Sequence, residues 1–567
     1  MKTILRLVKS TTGKIHFKQF LYALCIMAAV SSCKKDDDEM MSNPSPENQT
    51  LFNEMQMAMG GEELISDALS ITYESNGEAF EFQEDPEPIN GKVADYTYSL
   101  LYNLDGSQSR QDWTVDAEYA YSVNFAFIET IDNTLGKSEG TTGTFSAHFG
   151  SFGVTGDPMF STKIAARQKT LMMSSPIAMA KLIASNNVDG AQYGTINIGY
   201  NSSDLGFGSS TPDIQLVIDT DSKLPIKAQT LENDPLLGDA LYEVIYSNWT
   251  DVNGILLPEN LEHKLDGNTI RIETLTDQVV SSTLDESELT VSESEAWQYD
   301  VQQAKYGYLS SQFHYRTLLQ TFPIDFPVEY VDQTSPLALA SELVMNDDNV
   351  YRVSGDFQSH FTYAFKVDGE LILYDTPIND RRSEAVLDKI RTDFSTAPIK
   401  YVVHSHNHFD HTGGVRGSLA EGGELIVGAG SESFIEGVLQ RPSTVLPNPI
   451  NGSSIEVLGL AESMTIGSGD EEIQLYTIET SHAENDDYIV IYKPSTQTLY
   501  FNDLYNPGFI FVFDTFDAES QERMIELAGD VVDFVDGEGL DVQTYHCSHG
   551  FTTQDFDFQT VRDLAGM

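Results

Sequence analysis

Cysteine is scarce in this chain: Cys25, Cys33 and Cys547 are the only three in 567 residues. Three thiols cannot build a disulfide framework, and they exclude a zinc site made of four cysteines. Basic residues are also few. Against 87 Asp and Glu stand 32 Lys and Arg, a formal charge of -55. That balance argues against a nucleic-acid partner, because such binding relies on Lys and Arg to neutralise phosphate. The acidity reads instead as a solvated surface suited to salty surroundings, where repulsion is screened. Long apolar runs are missing as well. After the first 30 residues no stretch is apolar enough to span a bilayer, so the bulk of the chain is expected to be soluble. The length is a prior for roughly three to four domains.

The first residues carry what little long-range hydrophobicity there is. Lys2, Arg6, Lys9, Lys14 and Lys18 precede an apolar run from Phe20 to Val30. The run is shorter than the roughly 20 residues a membrane span needs. A basic start, a short apolar core and small residues at the exit describe a secretory signal. The exit, Val30-Ser31-Ser32-Cys33, resembles a bacterial lipoprotein signal. The resemblance implies a lipidated Cys33 at the mature N-terminus. The Lys-Lys-Asp-Asp-Asp-Glu run that follows is similar to the acidic sorting tag of surface-displayed lipoproteins. Residues 1–32 therefore read as a signal peptide and 33–48 as a flexible polar tether. The expected location is the outer membrane, by export, with the lipid as anchor and the outer face as the side of display.

Two unlike halves follow. Residues 49–293 open with one helix, LFNEMQMAMGGEELISDAL, and continue as strands such as TINIGY, IQLVIDTD, YEVIYSNW and IRIETLTDQVV. Turn signals such as LDG and DVNG separate them. This half is expected to be an antiparallel, β-rich, open-barrel-like domain. No cluster of ionisable residues marks a reactive site in it. Met59-Gly60-Gly61 leading a helix, and IDTDSKLPIKAQT with the segment after it, resemble lipoprotein-carrier-like domains. That resemblance implies a curved sheet partly wrapping a helix, with a lipid or acyl ligand as a partner. Residues 294–335 are an aromatic-rich connector. In residues 336–567, strands FTYAFKV, ELILYDT and IKYVV alternate with helices such as SEAVLDKIRTDF, the pattern of a layered α/β domain.

The chemistry gathers in this last segment. HSHNHFDHTGG holds four of the chain's twelve histidines, His404, His406, His408 and His411, with Asp410 among them. Strand IKYVV runs straight into it. Side chains two apart share a face in an extended chain, so His406, His408 and Asp410 are expected to point together while His411 faces elsewhere. Imidazole and carboxylate together suit zinc, and iron or manganese also fit. His482, Asp503 and His549 each follow a strand-like segment, and strand ends are where α/β domains place their chemistry. His546 competes with His549 for the last position.

His406-Asn-His408-Phe-Asp410-His411, with His482, Asp503, His549, Gly413-Gly414 and Asp375 in LILYDTP, resembles the metallo-β-lactamase superfamily. The resemblance implies an αββα sandwich over residues 336–567, with two metals at one edge. It assigns His406, His408 and His482 to the first metal and Asp410, His411 and His549 to the second, with Asp503 and a hydroxide bridging. Seven side chains are too many for one four-coordinate zinc. It also gives Asp410 a proton-relay role in catalysis. Asp375 and His404 are expected to support the ligands, and Tyr505 to donate a hydrogen bond to substrate. His408 stands where a di-iron redox branch carries glutamate. The leading expectation is a dinuclear zinc hydrolase that cleaves an ester, lactone, sulfate ester or amide in a small-molecule substrate. The alternatives are a lipid-binding lipoprotein with an inactive hydrolase-like domain, and a mononuclear iron enzyme similar to persulfide dioxygenases.

Overall fold

Gly60 and Gly61 decide how the chain enters its first domain. The opening stretch, expected as one helix, forms two, Pro46–Met59 and Glu62–Asp67. Both glycines have positive φ, 129° and 104°, a backbone region that L side chains rarely occupy. Gly60 also has no room for a side chain, since a Cβ would lie 2.2 Å from the Gly254 carbonyl oxygen. The break lets Met55, Met59 and Ile65 join one core with the strands that follow. The structure is a computed structural model. It describes residues 46–80, 92–117, 123–143, 155–158, 161–185, 189–192, 195–198, 214–234, 236–292, 340–343, 347–354, 361–377, 379–442, 444, 450, 455–480, 488–505, 518–547 and 556–566. These lie in one compact unit, Pro44–Met567. Cys33, the connector 294–335, His482 and His549 fall outside the described residues. Among the described residues no helix is long and apolar enough to cross a membrane.

Among the described residues the first region is an antiparallel sheet of 13 strands, with Thr155–Pro158 at one end of the order and Asp189–Gln192 at the other. Its first long strand, Ser70–Phe80, pairs with its last, Asn268–Ser281. Alternation along Ser70–Phe80 buries Tyr73, Ser75 and Ala79 and exposes Glu74, Asn76 and Glu78, the period of two that a pleated strand requires. Two helices that the sequence reading passed over, Ser161–Ser174 and Pro176–Ser185, interrupt the strands. Residues 167–174 are buried without a break, so no polar stripe marked the first of them as a helix.

That buried helix carries charge. Arg167 pairs with Glu129 at 2.6 Å, and Lys169 pairs with Glu232. Glu129 lies on strand Val123–Asp132 and Glu232 on strand Pro225–Asp234, with six strands between them in the sheet order. A flat sheet would hold those strands roughly 34 Å apart. Residues two apart on one helix meet both because the sheet curls round it. A third buried pair, Arg271–Glu273, lies beside them. The hydroxyls of Tyr96 and Tyr98 each donate to Glu273 at 2.9 Å, and the Arg271 guanidinium lies 5.1 Å from the Tyr96 ring. These ionisable residues form structural ion pairs that the sequence reading did not single out. The charged residues sit at inward positions and meet partners remote in sequence, and their hydrogen bonds offset the cost of desolvation.

Among the described residues the second region has two sheets, one of seven strands and one of six. Val350, Phe365 and Ile372 of the first share a core with Ile473, Leu475 and Ile489 of the second. Alternate residues Leu371 and Leu373 pack the other way, against Val386, Leu387 and Ile390 of helix Asp380–Asp393. On the far side of the six-stranded sheet, Tyr488 and Val490 pack against Leu527 and Val531 of helix Ala518–Glu538. Strand Tyr488–Lys493 is buried at every position, as expected for a strand covered on both faces. Glu370–Tyr374, Ile399–Val403 and Glu424–Gly428 are mutually parallel neighbours, as are Thr498–Tyr500 and Thr544–His546. Parallel pairing gathers their C-terminal ends, and those ends carry Asp375, His404 and Asp503.

Candidate metal centre

The extended chain stops at Val403, before the histidine motif begins. A bend covers residues 405–407, and His408 caps the N-terminus of a short helix, Phe409–Thr412. The simple alternation of His406, His408 and Asp410 is therefore corrected. A helix turns about 100° per residue, which swings Asp410 away from His408 and beside His411. Two groups result, His406-His408-Asp503 and Asp410-His411-Asp503, the ligand atoms of each lying within 4.8 Å of one another. Asp503 belongs to both. Its Oδ2 is 3.6 Å from His406 Nε2 and 3.0 Å from His411 Nε2, and Asp410 Oδ2 is 3.6 Å from His411 Nε2. The His406 ring is held between neighbours, 4.2 Å from His408 and 4.9 Å from a stacked Tyr488, centroid to centroid.

Asp503 is set by the turn that follows strand Thr498–Tyr500. In the 3-10 segment Asn502–Leu504, the Asp503 backbone N–H donates to the Tyr488 hydroxyl at 2.7 Å. That hydroxyl donates in turn to the Phe501 carbonyl at 3.3 Å.

Asp375 organises the other side. It is fully buried and adopts φ 61°, the left-handed region that Asp enters more easily than most residues. Its carboxylate accepts from Ser405 N at 2.7 Å, Ser405 Oγ at 2.9 Å, His411 Nδ1 at 2.7 Å and the Asn502 amide. These bonds assign tautomers. Ser405 Oγ has a single proton and gives it to Asp375, so at 2.9 Å it accepts from His406 Nδ1–H. Both His406 and His411 then carry a proton on Nδ1 and turn Nε2 toward Asp503; His411 Nε2 lies at hydrogen-bond distance from it, 3.0 Å, and would give up its second proton to a bound metal. A carboxylate behind a ligating imidazole fixes its orientation and raises its basicity.

The electrostatics press for a cation. Burial alone would lower the His411 pKa, but the carboxylates of Asp503, Asp410 and Asp375 outweigh it and hold the imidazole well above its ordinary value. Burial pushes Asp375 up, against the opposing pull of His411 and Ser405. Three carboxylates around one imidazole in a buried place leave excess negative charge. Imidazole nitrogens and carboxylate oxygens aimed at common points are the donor set that zinc, iron or manganese take. The residues present therefore fit divalent metal.

The remaining candidates separate clearly. His404 Nε2 pairs with Thr376 Oγ1 at 2.9 Å, and burial pushes its pKa down to about 3. It stands behind the cluster, since Thr376 N–H donates to the His411 carbonyl at 2.8 Å. His546 stacks on Tyr500 at 5.0 Å and lies in neither donor group. Cys547 is buried, and its carbonyl accepts from Tyr363 OH at 2.8 Å. Tyr505 is corrected. After the 3-10 turn its ring packs against Tyr545, centroids 5.6 Å apart, in the core under helix Ala518–Glu538 rather than toward substrate. Sequence reasoning passed over Ser405, Asn502, Thr376 and Tyr488. Ser405 had a signal, its place inside the histidine motif; the others had none.

No curated protein matches the chain. Among solved structures, rubredoxin oxygen:oxidoreductase from the anaerobe Desulfovibrio gigas is 15% identical over 40% of this chain and 61% of that one, with a TM-score of 0.30. The sec-alkyl sulfatase PisA1 is 20% identical over 40% of this chain and 41% of its own, TM-score 0.28. The DIM-1 metallo-beta-lactamase is 16% identical over 40% of this chain and 95% of its own, TM-score 0.28. This chain thus spans less than two thirds of the first two proteins. Residues 355–534 match the family model of the metallo-beta-lactamase superfamily, and the C-terminal region is a metallo-β-lactamase-like domain following a large antiparallel β-rich sheet.

Proposed function

We propose that the C-terminal domain is a dinuclear zinc-dependent hydrolase acting on a small ester, lactone, sulfate ester or amide. The observation that carries this reading is that one carboxylate, Asp503, lies within reach of two separate donor groups. His406, His408 and His482 would hold one metal, and Asp410, His411 and His549 the other, with Asp503 shared. Helices outside two face-packed sheets support an αββα sandwich as the scaffold. A pair of bound divalent cations would supply an ionised water near neutral pH and polarise the substrate oxygen.

The chain's own residues do the rest. Asp375 and Ser405 keep Nδ1 of both histidines protonated, so that Nε2 stays available as a ligand. Tyr488 fixes the Asp503 backbone through its hydroxyl and stacks on His406, which holds ligand and bridge in register. Asp410 is the more accessible carboxylate, its side chain 17% exposed against 9% for Asp503. On the open side of the cluster it takes the proton of the attacking water and passes it to the leaving group.

Elemental analysis of the purified chain tests the reading, with two zinc per chain expected. His408→Ala should abolish hydrolysis of an activated ester while leaving the fold intact. Turnover that persists after complete chelation would refute it. One iron per chain would favour the oxygenase alternative, and no metal the binding-protein alternative. We also propose that the chain is exported and held at the outer membrane by a lipid on Cys33.

A further inference from the structure

We propose that a hairpin tip of the N-terminal sheet positions the metal loop of the C-terminal domain, with Leu236 and Arg416 as the positioning residues. The hairpin joins strands Pro225–Asp234 and Gly238–Val252. Its tip is shaped by Asp234, whose Oδ1 accepts from the backbone N–H of Leu236 and of Leu237, both at 2.9 Å. This tight turn lifts Leu236 off its own sheet. The side chain is 1% exposed, and it is buried in the other domain, in one core with Leu373, Val402, Leu419 and Val438.

Polar contacts ring the inserted leucine. The Asp239 backbone N–H donates to the Pro442 carbonyl at 2.7 Å, and Thr444 N–H donates to the Asp239 carboxylate at 2.8 Å. Arg441 Nε donates to the Leu237 carbonyl at 2.8 Å, and its guanidinium pairs with Asp266. Gly238 has φ 66°, and a Cβ there would lie 2.2 Å from the Pro442 oxygen. The approach is backbone against backbone, which only glycine permits.

Arg416 links this joint to the metal loop. It lies on the short helix Val415–Leu419, directly after Gly413-Gly414. Its buried guanidinium donates to the Leu236 carbonyl at 3.2 Å and to the Val438 carbonyl. The opposite side of the segment is equally closed. Gly414 N–H donates to the Thr376 carbonyl at 2.8 Å, and Gly417 N–H donates to Asp380 Oδ1 at 2.9 Å. A Cβ on Gly417 would lie 2.3 Å from the Asp380 carbonyl oxygen. The segment is clamped between helix Asp380–Asp393 and the hairpin, so the N-terminal sheet supplies one jaw. Thr376 carries the clamp onward, because the same residue bonds the His411 backbone and His404.

The consequence is that the β-rich domain is not a detachable carrier. The core beneath the metal loop is completed by a residue 180 positions upstream of Arg416. Movement of the hairpin would reach His411 through Arg416, Gly414 and Thr376.

The test uses the full chain with Leu236→Ala, and Leu236→Met as the conservative rescue. Hydrogen exchange of amides 411–419 should accelerate about tenfold in the alanine variant, while strand Ser70–Phe80 keeps its protection. The visible absorption bands of the cobalt-loaded protein should shift with it, and methionine should restore both signals. A folded alanine variant with wild-type exchange at 411–419 and an unshifted cobalt spectrum overturns the proposal. Should the alanine variant fail to fold, Arg441→Gln loosens the rim instead, and faster or unchanged exchange at 411–419 decides in the same way. The cobalt arm rests on the metal reading above; the exchange arm does not, so a protein inert toward every ester still answers the question.

Discussion

Asp375→Asn isolates the electrostatic support of the metal centre from its shape. Asparagine is isosteric and tolerates the left-handed backbone, φ 61°, at this position. The change replaces a carboxylate that receives four donors with an amide that has one acceptor oxygen. If that oxygen keeps His411 Nδ1, Ser405 Oγ and Asn502, the new NH2 group faces Ser405 N–H, which stood 2.7 Å from Oδ1. Two buried donors face to face cost about 1–3 kcal/mol. Loss of charge assistance on the His411 bond adds about 1 kcal/mol. The sum, roughly 2–4 kcal/mol, falls on the bonds that orient His406 and His411. Metal affinity should therefore drop about 10–100-fold, which is about 1.4–2.8 kcal/mol. Competition titration against a chromophoric chelator measures it, with circular dichroism confirming the fold. In metal-free protein the penalty should be smaller, because burial already disfavours the charged form of Asp375. Affinity for both metals within about twofold of the wild type, in a folded variant, would refute the reasoning.

Two other outcomes are open to direct measurement. Burial first, and the nearby Arg271 second, hold the His263 pKa well below the 6.5 of a free imidazole, so the ring is neutral in the folded chain beside Tyr242 OH at 2.7 Å. The unfolded chain takes up that proton as pH falls through 6.5, so this stability is complete above that pH and is lost below it. One proton contributes a slope of up to about 1.4 kcal/mol per pH unit. Urea unfolding of the wild type from neutral pH toward pH 5 should therefore weaken more steeply than that of His263→Gln, and parallel slopes would exclude the assignment. For the anchor, Cys33→Ser should move the protein from membrane to soluble fractions, and tight retention would count against a lipid at Cys33.

The donor cluster was legible because its members lie in one short motif and at strand ends, where parallel neighbours converge. The motif's local geometry was less legible. A strand running into HSHNHFDH invites an alternating reading, but the helix begins at Phe409 and pairs Asp410 with His411. Tyr505 looked available because it follows Asp503; the intervening turn sends it into a core instead. The buried helix Ser161–Ser174 was missed for a deeper reason. Sequence patterning finds helices by a contrast between wet and dry faces, and residues 167–174 of this one show none. Its Arg167 and Lys169 are neutralised by Glu129 and Glu232, which lie on strands remote in sequence on either side of the helix. The seam at Leu236 is invisible in the same way, since an isolated leucine at a turn gives no sign of whose core it enters.

The scarcity of basic residues takes on structural meaning once their positions are known. Arg167, Lys169, Arg271, Arg352, Arg382, Arg416 and Lys493 are buried. Among the described residues they are matched by as many buried acids, Glu129, Glu232, Asp234, Glu243, Glu273, Asp347 and Asp375, so the acid excess of a chain with 32 cations and 87 acids lies at the surface. Such a field draws divalent cations toward a centre that presents Asp375, Asp410 and Asp503, and it repels anionic substrates until salt screens it. We infer that at low ionic strength neutral esters and lactones reach this centre more readily than sulfate esters. For the proposed hydrolase, the charge distribution rather than the scaffold would then do the first sorting among its candidate substrates.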